Sequence, residues 1–233
     1  MPTDPKRGAS PVRITPRLIA DDVHDQLLQL IVDGHIDAEQ PLSIDGLARD
    51  FGVSSSPVRE ALARLEATGL VRRFALRGYS VAPALTAGEL GDLMDARLLI
   101  EPGAAAAAAA RTAESGIEAL LTSAQEALET APRGGRFDDV REYYDADRAF
   151  HLAVIAGTGN RFIAQAYEAL GGQFQRFRLF SGRGVTDADA TIAEHAAIRS
   201  AIVRGDAKAA SEGMHAHLTG VRHRALGEMA DIS

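Results

Sequence analysis

Ser43 to Val71 reads SIDGLARDFGVSSSPVREALARLEATGLV, and this stretch decides the fold of the N-terminal part. A short helix from Ile44 to about Phe51 gives way at Gly52 to a second helix. On that second helix Val58, Ala61, Leu62 and Leu65 recur at three- and four-residue spacing, which makes one apolar stripe. The pattern is a helix-turn-helix. Gly52 supplies the tight turn, Ser54, Ser55 and Ser56 offer hydroxyl caps, and Pro57 brings a ring already set to a helical φ. A helix that enters the major groove turns its first residues toward base edges and phosphates, and here those residues are three hydroxyls followed by Arg59.

The next residues, GLVRRFALRGYSV, hold two short β-prone runs, Val71 to Phe74 and Tyr79 to Val81, joined at Arg77-Gly78. A strand pair with basic residues at its tip, beside a helix-turn-helix, is a wing. Such a tip rests on the DNA backbone or minor groove, where charge rather than sequence is read. Two packed helices and a hairpin without a nucleic-acid role would be the bland alternative; the order of the parts speaks against it. Ser54, Ser55, Ser56, Arg59, Arg64, Arg77 and Gly78 are the candidate DNA contacts.

Composition frames this reading. The 233 residues suffice for two domains with separate cores. With no cysteine there is no disulfide framework and no thiolate ligand or nucleophile, which suits a reducing cytoplasm. MPTDPKRGASPVRITPR is polar and proline-bearing without an apolar h-region, so it reads as a loose arm, not a signal peptide. The alanine-rich run around Ala104 to Ala110 is too short to span a membrane. The net charge of −7 is unevenly spread. Residues 1–83 carry ten Lys or Arg against eleven acids, 84–233 carry fifteen against twenty-one, and Leu47 to Ala82 has six Arg against three acids. So modest a local surplus favours a homodimer that sums two sites.

Taken in order, Thr15-Pro16 opens a helix with Val23, Leu27, Leu30 and Ile31 on one side, ending near Gly34. Ala82-Pro83-Ala84 is the linker, beyond which no strand pattern recurs. Thr86 and Glu89 form a capping box at the head of a long helix, and Pro102-Gly103 should kink or break that helix. Ser115 and Glu118 form a second capping box. Arg133-Gly134-Gly135 and Ser181-Gly182-Arg183-Gly184 are turns, Asn160 and Asp206 cap helices, and Gly171-Gly172 is a weak point. The expected fold is mainly α: an N-terminal arm (1–16), a winged helix-turn-helix (17–82) and an all-α, bundle-like, dimerising domain (83–233).

In the second part Asp147 and His151 lie four apart on one helix, so their side chains share a face. His195 and His217 lie on the last two helices. Such a set can hold a divalent cation inside a bundle, its nitrogen and oxygen donors suiting zinc, nickel or manganese. An Asp-x-x-x-His pair is also a common helix-face hydrogen bond, and His215 and His223 show that histidine is frequent on the last helix. Spacing leaves both readings open.

LARDFGVSSSPVREALARLEATGLV followed by RG-x-x-V resembles the GntR family of bacterial transcription regulators. Arg97-x-x-x-Glu101, Asp147-x-x-Phe150-His151, Gly159-Asn160, Glu194-His195, Gly205-Asp206 and Met214-x-x-His217 resemble the FadR-type C-terminal ligand-binding domain. The resemblance covers residues 17 to about 225. It implies a dimer whose two winged domains read an inverted repeat in double-stranded DNA. It also implies a divalent metal, zinc first among the candidates, held by Asp147, His151, His195 and His217, with a small carboxylate metabolite on it. Arg97 matches an arginine that faces the ligand cavity; a plain intrahelical pair with Glu101 is the alternative. One departure stands out: the family usually has arginine where this chain has Ser55. Arginine takes guanine or phosphate bidentately, whereas serine offers one short hydroxyl, so affinity should lean on Arg59, Arg64 and the wing.

The function expected is a DNA-binding transcription regulator, a repressor, whose operator affinity follows the metabolite. The alternatives are a metal-dependent enzyme acting on a small carboxylate and a regulator whose metal is a structural clip. Against the enzyme, no motif places a further general base, and the DNA-reading part would be unexplained.

Overall fold

The stripe on Val58, Ala61, Leu62 and Leu65 is buried as a unit. The computed structural model describes residues 16–32, 35–74, 78–112, 116–133, 137–180, 185 and 187–230. In it α1 spans Pro16–Val32, α2 Ile44–Asp50 and α3 Ser55–Ala67. The buried face of α1, with Ala20, Val23, Leu27, Leu28 and Ile31, packs on α3. Gly52 turns the chain between α2 and α3 with φ of 66°, a left-handed conformation that costs glycine nothing. Ser43 caps α2 by accepting from the Gly46 N–H at 3.2 Å. Ser54 holds the N-cap position of α3 without a side-chain cap bond, contrary to expectation. The head of α3 is open to solvent, so water can satisfy its first N–H groups.

The wing is present. Strands β2 (Val71–Phe74) and β3 (Gly78–Val81) pair antiparallel, with Val71 opposite Val81 and Phe74 opposite Gly78. A two-residue strand the sequence does not announce, β1 (Pro41–Leu42), takes the other edge of β3, so the sheet order is β1-β3-β2.

Among the described residues the remainder is helical: α4 (Ala87–Ala110), α5 (Ile117–Thr130), α6 (Phe137–Gly157), α7 (Arg161–Phe180), α8 (Ala188–Val203) and α9 (Ala207–Ala230). The Thr86–Glu89 capping box closes in both directions. Pro102 does not break α4, which runs through it in one piece. Pro102 deprives only the Leu98 carbonyl of its helical donor, while Ala104, Ala105, Ala108 and Ala109 just beyond it are buried where α4 packs along α9. Helix α7 likewise continues through Gly171-Gly172. Helix α5 starts after Gly116, whose φ of 61° is one glycine adopts at no cost. Asn160 and Asp206 cap as expected, accepting from Phe162 and Ala209 N–H groups at 3.0 Å each. The arm up to Thr15, Ser115, Gly134-Gly135 and Ser181–Gly184 lie outside the described residues.

Two apolar cores result. One lies between α4, α6, α8 and α9. The other joins the winged half to Leu128, Tyr143, Tyr144 and Ala188 of the helical half, so the two halves share packed surface.

Candidate functional site

Four helices aim polar side chains at one buried point. Helix α4 supplies Arg97 and Glu101, α6 supplies Asp147 and His151, α8 supplies Glu194 and His195, and α9 supplies His217. All but Glu194 are buried, with Glu101 and His195 at 0% exposure. Burial of this many polar groups in an apolar core is costly unless they are engaged, and Arg97, Glu101, His151 and His217 each have a close polar partner. Glu101 accepts from the Arg97 Nε at 2.6 Å and meets the His151 Nδ1 at 2.5 Å. Glu194 meets the His217 Nδ1 at 2.7 Å and is itself held by Arg224. The His195 Nε2 lies 3.3 Å from the His217 Nε2 and 3.7 Å from the Asp147 Oδ1. Phe150 stacks flat on His195, ring centroids 4.0 Å apart. One nitrogen from each of His151, His195 and His217 falls within 4.8 Å of the other two. The predicted set is therefore brought together, with Asp147 at its edge.

The electrostatics favour a neutral, donor-ready imidazole at His217. Burial alone would raise the Glu101 carboxyl, but Arg97 and His151 outweigh it and hold the group down at about 2. Burial likewise raises Glu194 and is outweighed by His217 and Arg224. A carboxylate can only accept, so His151 and His217 each donate from Nδ1, which turns Nε2 of each ring toward the shared point. Burial pushes His217 below its ordinary value, which Glu194 offsets only in part, and so keeps that ring neutral. Burial lowers Arg97, and Glu101 and Tyr167 more than restore it.

These donors fit a divalent cation. Two imidazole nitrogens on one metal at about 2.0–2.1 Å stand about 2.8–3.0 Å apart for octahedral and about 3.3–3.4 Å for tetrahedral angles. The His195–His217 separation of 3.3 Å lies in the tetrahedral interval. The Glu–His pairs are the outer partners that fix tautomer and ring orientation of metal-bound histidines. Of the two readings of Arg97, the intrahelical pair with Glu101 is present. The Arg97 guanidinium lies 4.2 Å from the Phe174 ring centroid, and its Nη1 is buried without a hydrogen-bond partner among the described residues.

At the other end of the molecule the α3 turn is open. Ser54, Ser56 and Arg59 are exposed, and Ser55 is half-buried with its Oγ donating to Asp45 of α2 at 3.2 Å. Arg64 is exposed as well. It pairs with Asp21 of α1 and lines a cleft with His24, Asp25, Arg141 and Arg148 behind α3. Five residues put it about 140° around the helix from Arg59, on the side α1 covers. Gly78 opens β3 at φ 81°, and Arg77 lies outside the described residues. Sequence reasoning passed over three groups: exposed Arg72 and Arg73 on β2, the latter 5.9 Å over Tyr79, and Arg49 beside the turn. The doubled arginine at the wing was the available signal. Tyr167 at the buried site had none, and Glu194 stood in the Glu194-His195 motif without an assigned role.

A winged helix-turn-helix joined to an all-helical domain with a buried polar site defines a DNA-binding transcription regulator. The comparisons agree. The family of bacterial regulatory proteins named gntR matches residues 19–81, and the FCD domain matches residues 92–220. The chain is 29% identical over 194 residues to the HTH-type transcriptional repressor GlaR of Escherichia coli K12, covering 81% of this chain and 87% of that protein. It is 28% identical over 200 residues to the HTH-type transcriptional regulator LutR of Bacillus subtilis, covering 77% and 88%. A GntR regulator structure from Rhodococcus sp. RHA1 superposes with a TM-score of 0.66 at 21% identity, covering 89% of this chain and 97% of that one. Escherichia coli McbR/YncC does so with 0.66 at 18%, covering 91% and 98%. These two likenesses speak for the fold alone. The chain belongs to the GntR family of bacterial transcription regulators, with an FCD domain as its helical part, and it is a regulator and not an enzyme. Among the described residues no helix is long and apolar enough to cross a membrane.

Proposed function

We propose that this regulator is a repressor whose grip on DNA is set by a small carboxylate bound at a divalent metal in the helical domain. The observation that carries the reading is the convergence of three buried imidazoles from α6, α8 and α9, two of them oriented by carboxylates. His151, His195 and His217 would hold the metal with Asp147 as the oxygen ligand, and zinc suits three imidazoles and a carboxylate best. The metal would supply a Lewis-acidic anchor for the metabolite. The unpartnered Arg97 Nη1 supports a carboxylate as the incoming group, since guanidinium pairs it in a fixed geometry.

In this reading residues 17–82 read DNA and 83–233 sense the metabolite and dimerise. Two copies place two α3 helices on the half-sites of an inverted repeat. Leu99, 84% exposed, sits with Gly103, Ala106 and Ala110 at helical spacing on the open side of α4, a surface suited to a second copy. Ser54, Ser56, Arg59 and the wing, with Arg77 and Gly78 at its tip, meet the DNA. A change of about 1–3 kcal/mol in coupling between the sites suffices for a 5- to 150-fold change in DNA affinity.

Metal analysis of protein purified without chelator or affinity tag tests the reading. The wild type is expected to carry about one metal per chain, with the His151→Ala/His195→Ala double variant empty and still folded. Equal metal in both would refute the site.

A further inference from the structure

Asp45 and Ser55 form a pair that the reading above leaves unused. Ser55 is the first residue of α3, and its Oγ donates to the Asp45 Oδ1 at 3.2 Å across the turn. Asp45 is exposed, its Oδ2 has no hydrogen-bond partner among the described residues, and both side chains line an open groove with Arg49, Val53 and Ser54. An acid on the surface that faces DNA is repelled by phosphates, so its presence there calls for a compensating partner.

The chemistry of the pair is one-sided. The single hydroxyl proton of Ser55 is spent on Asp45, and a carboxylate has none to give. The unit therefore offers only acceptors to the groove. Guanine shows two acceptors there, thymine an acceptor and a methyl, and adenine an amino group beside an acceptor nitrogen; cytosine shows its amino donor alone. An acceptor-only reader is thus mismatched to guanine and matched to cytosine. We infer that Asp45, oriented by Ser55, selects cytosine at one position of each operator half-site, where the arginine usual in this family would select guanine. The inference rests on the proposed entry of the α3 turn into the major groove.

Selection of full-length wild type, Asp45→Asn, Asp45→Ala and Ser55→Arg on a library of random duplexes, at one salt concentration, tests it. For wild type a single cytosine per half-site is expected, and its replacement by guanine should weaken binding about tenfold. Asp45→Asn should move the preference to adenine, Ser55→Arg should move it toward guanine, and Asp45→Ala should flatten that position alone. Tighter binding of every duplex by one factor in Asp45→Ala, with the base ranking unchanged, would overturn the inference and leave Asp45 a mere source of repulsion. So would a lowered melting temperature as the only effect of the variants, which would leave the carboxylate a stabiliser of the α3 N-terminus. A wild type without base preference at any position overturns the groove reading as well, and that arm alone reports it.

Discussion

The turn at the head of α3 and the imidazole cluster among α4, α6, α8 and α9 are built on opposite plans. At the turn, Ser54, Ser56 and Arg59 are exposed and make few bonds to the protein, so their hydrogen-bonding capacity is kept for a partner. In the cluster the donors are buried and three of them are aimed by a second protein group: Glu101 aims Arg97 and His151, and Glu194 aims His217. Groups meant for a large ligand that arrives with its own charge can wait in water. Groups meant for a small ion must be placed beforehand, since a point charge does little to order them. Removal of one residue should therefore damage stability in the cluster and binding at the turn.

The largest effect is expected from Glu101→Ala. It strips Arg97 of its counter-charge at 1% exposure and His151 of its orienting partner. Breaking a buried pair from one side costs about 3–5 kcal/mol, because a desolvated charge is left behind. Denaturant unfolding of the variant beside wild type measures it, and a loss below about 1 kcal/mol would show that water reaches Arg97 and that the cluster is no drier than the turn. Arg59→Ala is the converse. Operator affinity should fall by about 1–3 kcal/mol, while stability stays within about 0.5 kcal/mol as for other exposed sites. Unchanged affinity in a salt-controlled shift assay would remove Arg59 from the reading surface.

What could be read beforehand followed from period and chemistry. The stripe on α3, the Thr86 capping box, the wing and the three imidazoles are signals contained within a few residues or within a residue type. Strand β1 has two residues, too few to show alternation, and exists because β3 offers a free edge. Pro102 was misjudged because a local rule counts the lost donor and not the burial of Ala104 and Ala105 just beyond it. The pairing of Arg64 with Asp21 was not legible because the two stand 43 residues apart on different helices. The carboxylates behind His151 and His217 were hidden for the same reason: Glu101 and Glu194 meet their histidines only after the helices pack.

The smallest effect on stability, and the one that tests whether the two regions communicate, belongs to a contact between them. Arg141 lies on α6, six residues before Asp147, and its Nη2 donates to Asp25 of α1 at 3.2 Å. Helix α1 packs on α3, so the helix that carries Asp147 and His151 touches the helix that supports the reader. The Asp25 carboxyl, which burial would raise, is brought below its ordinary value of 3.8 by His24 and Arg141. A lowered value means the pair stabilises the fold above 3.8 and is lost as pH falls below it. Both side chains are about a third to a half exposed, so Arg141→Ala should cost no more than about 1 kcal/mol. Its effect on coupling should be larger. Under the proposed function, a shift of α6 on metal binding would reach α1 through this pair and the shared core, and without the pair only the core would remain. The ratio of DNA affinities with and without zinc should therefore move toward one in Arg141→Ala, with metal content unchanged. An identical ratio in wild type and variant would mean that the helices pass on nothing through this contact.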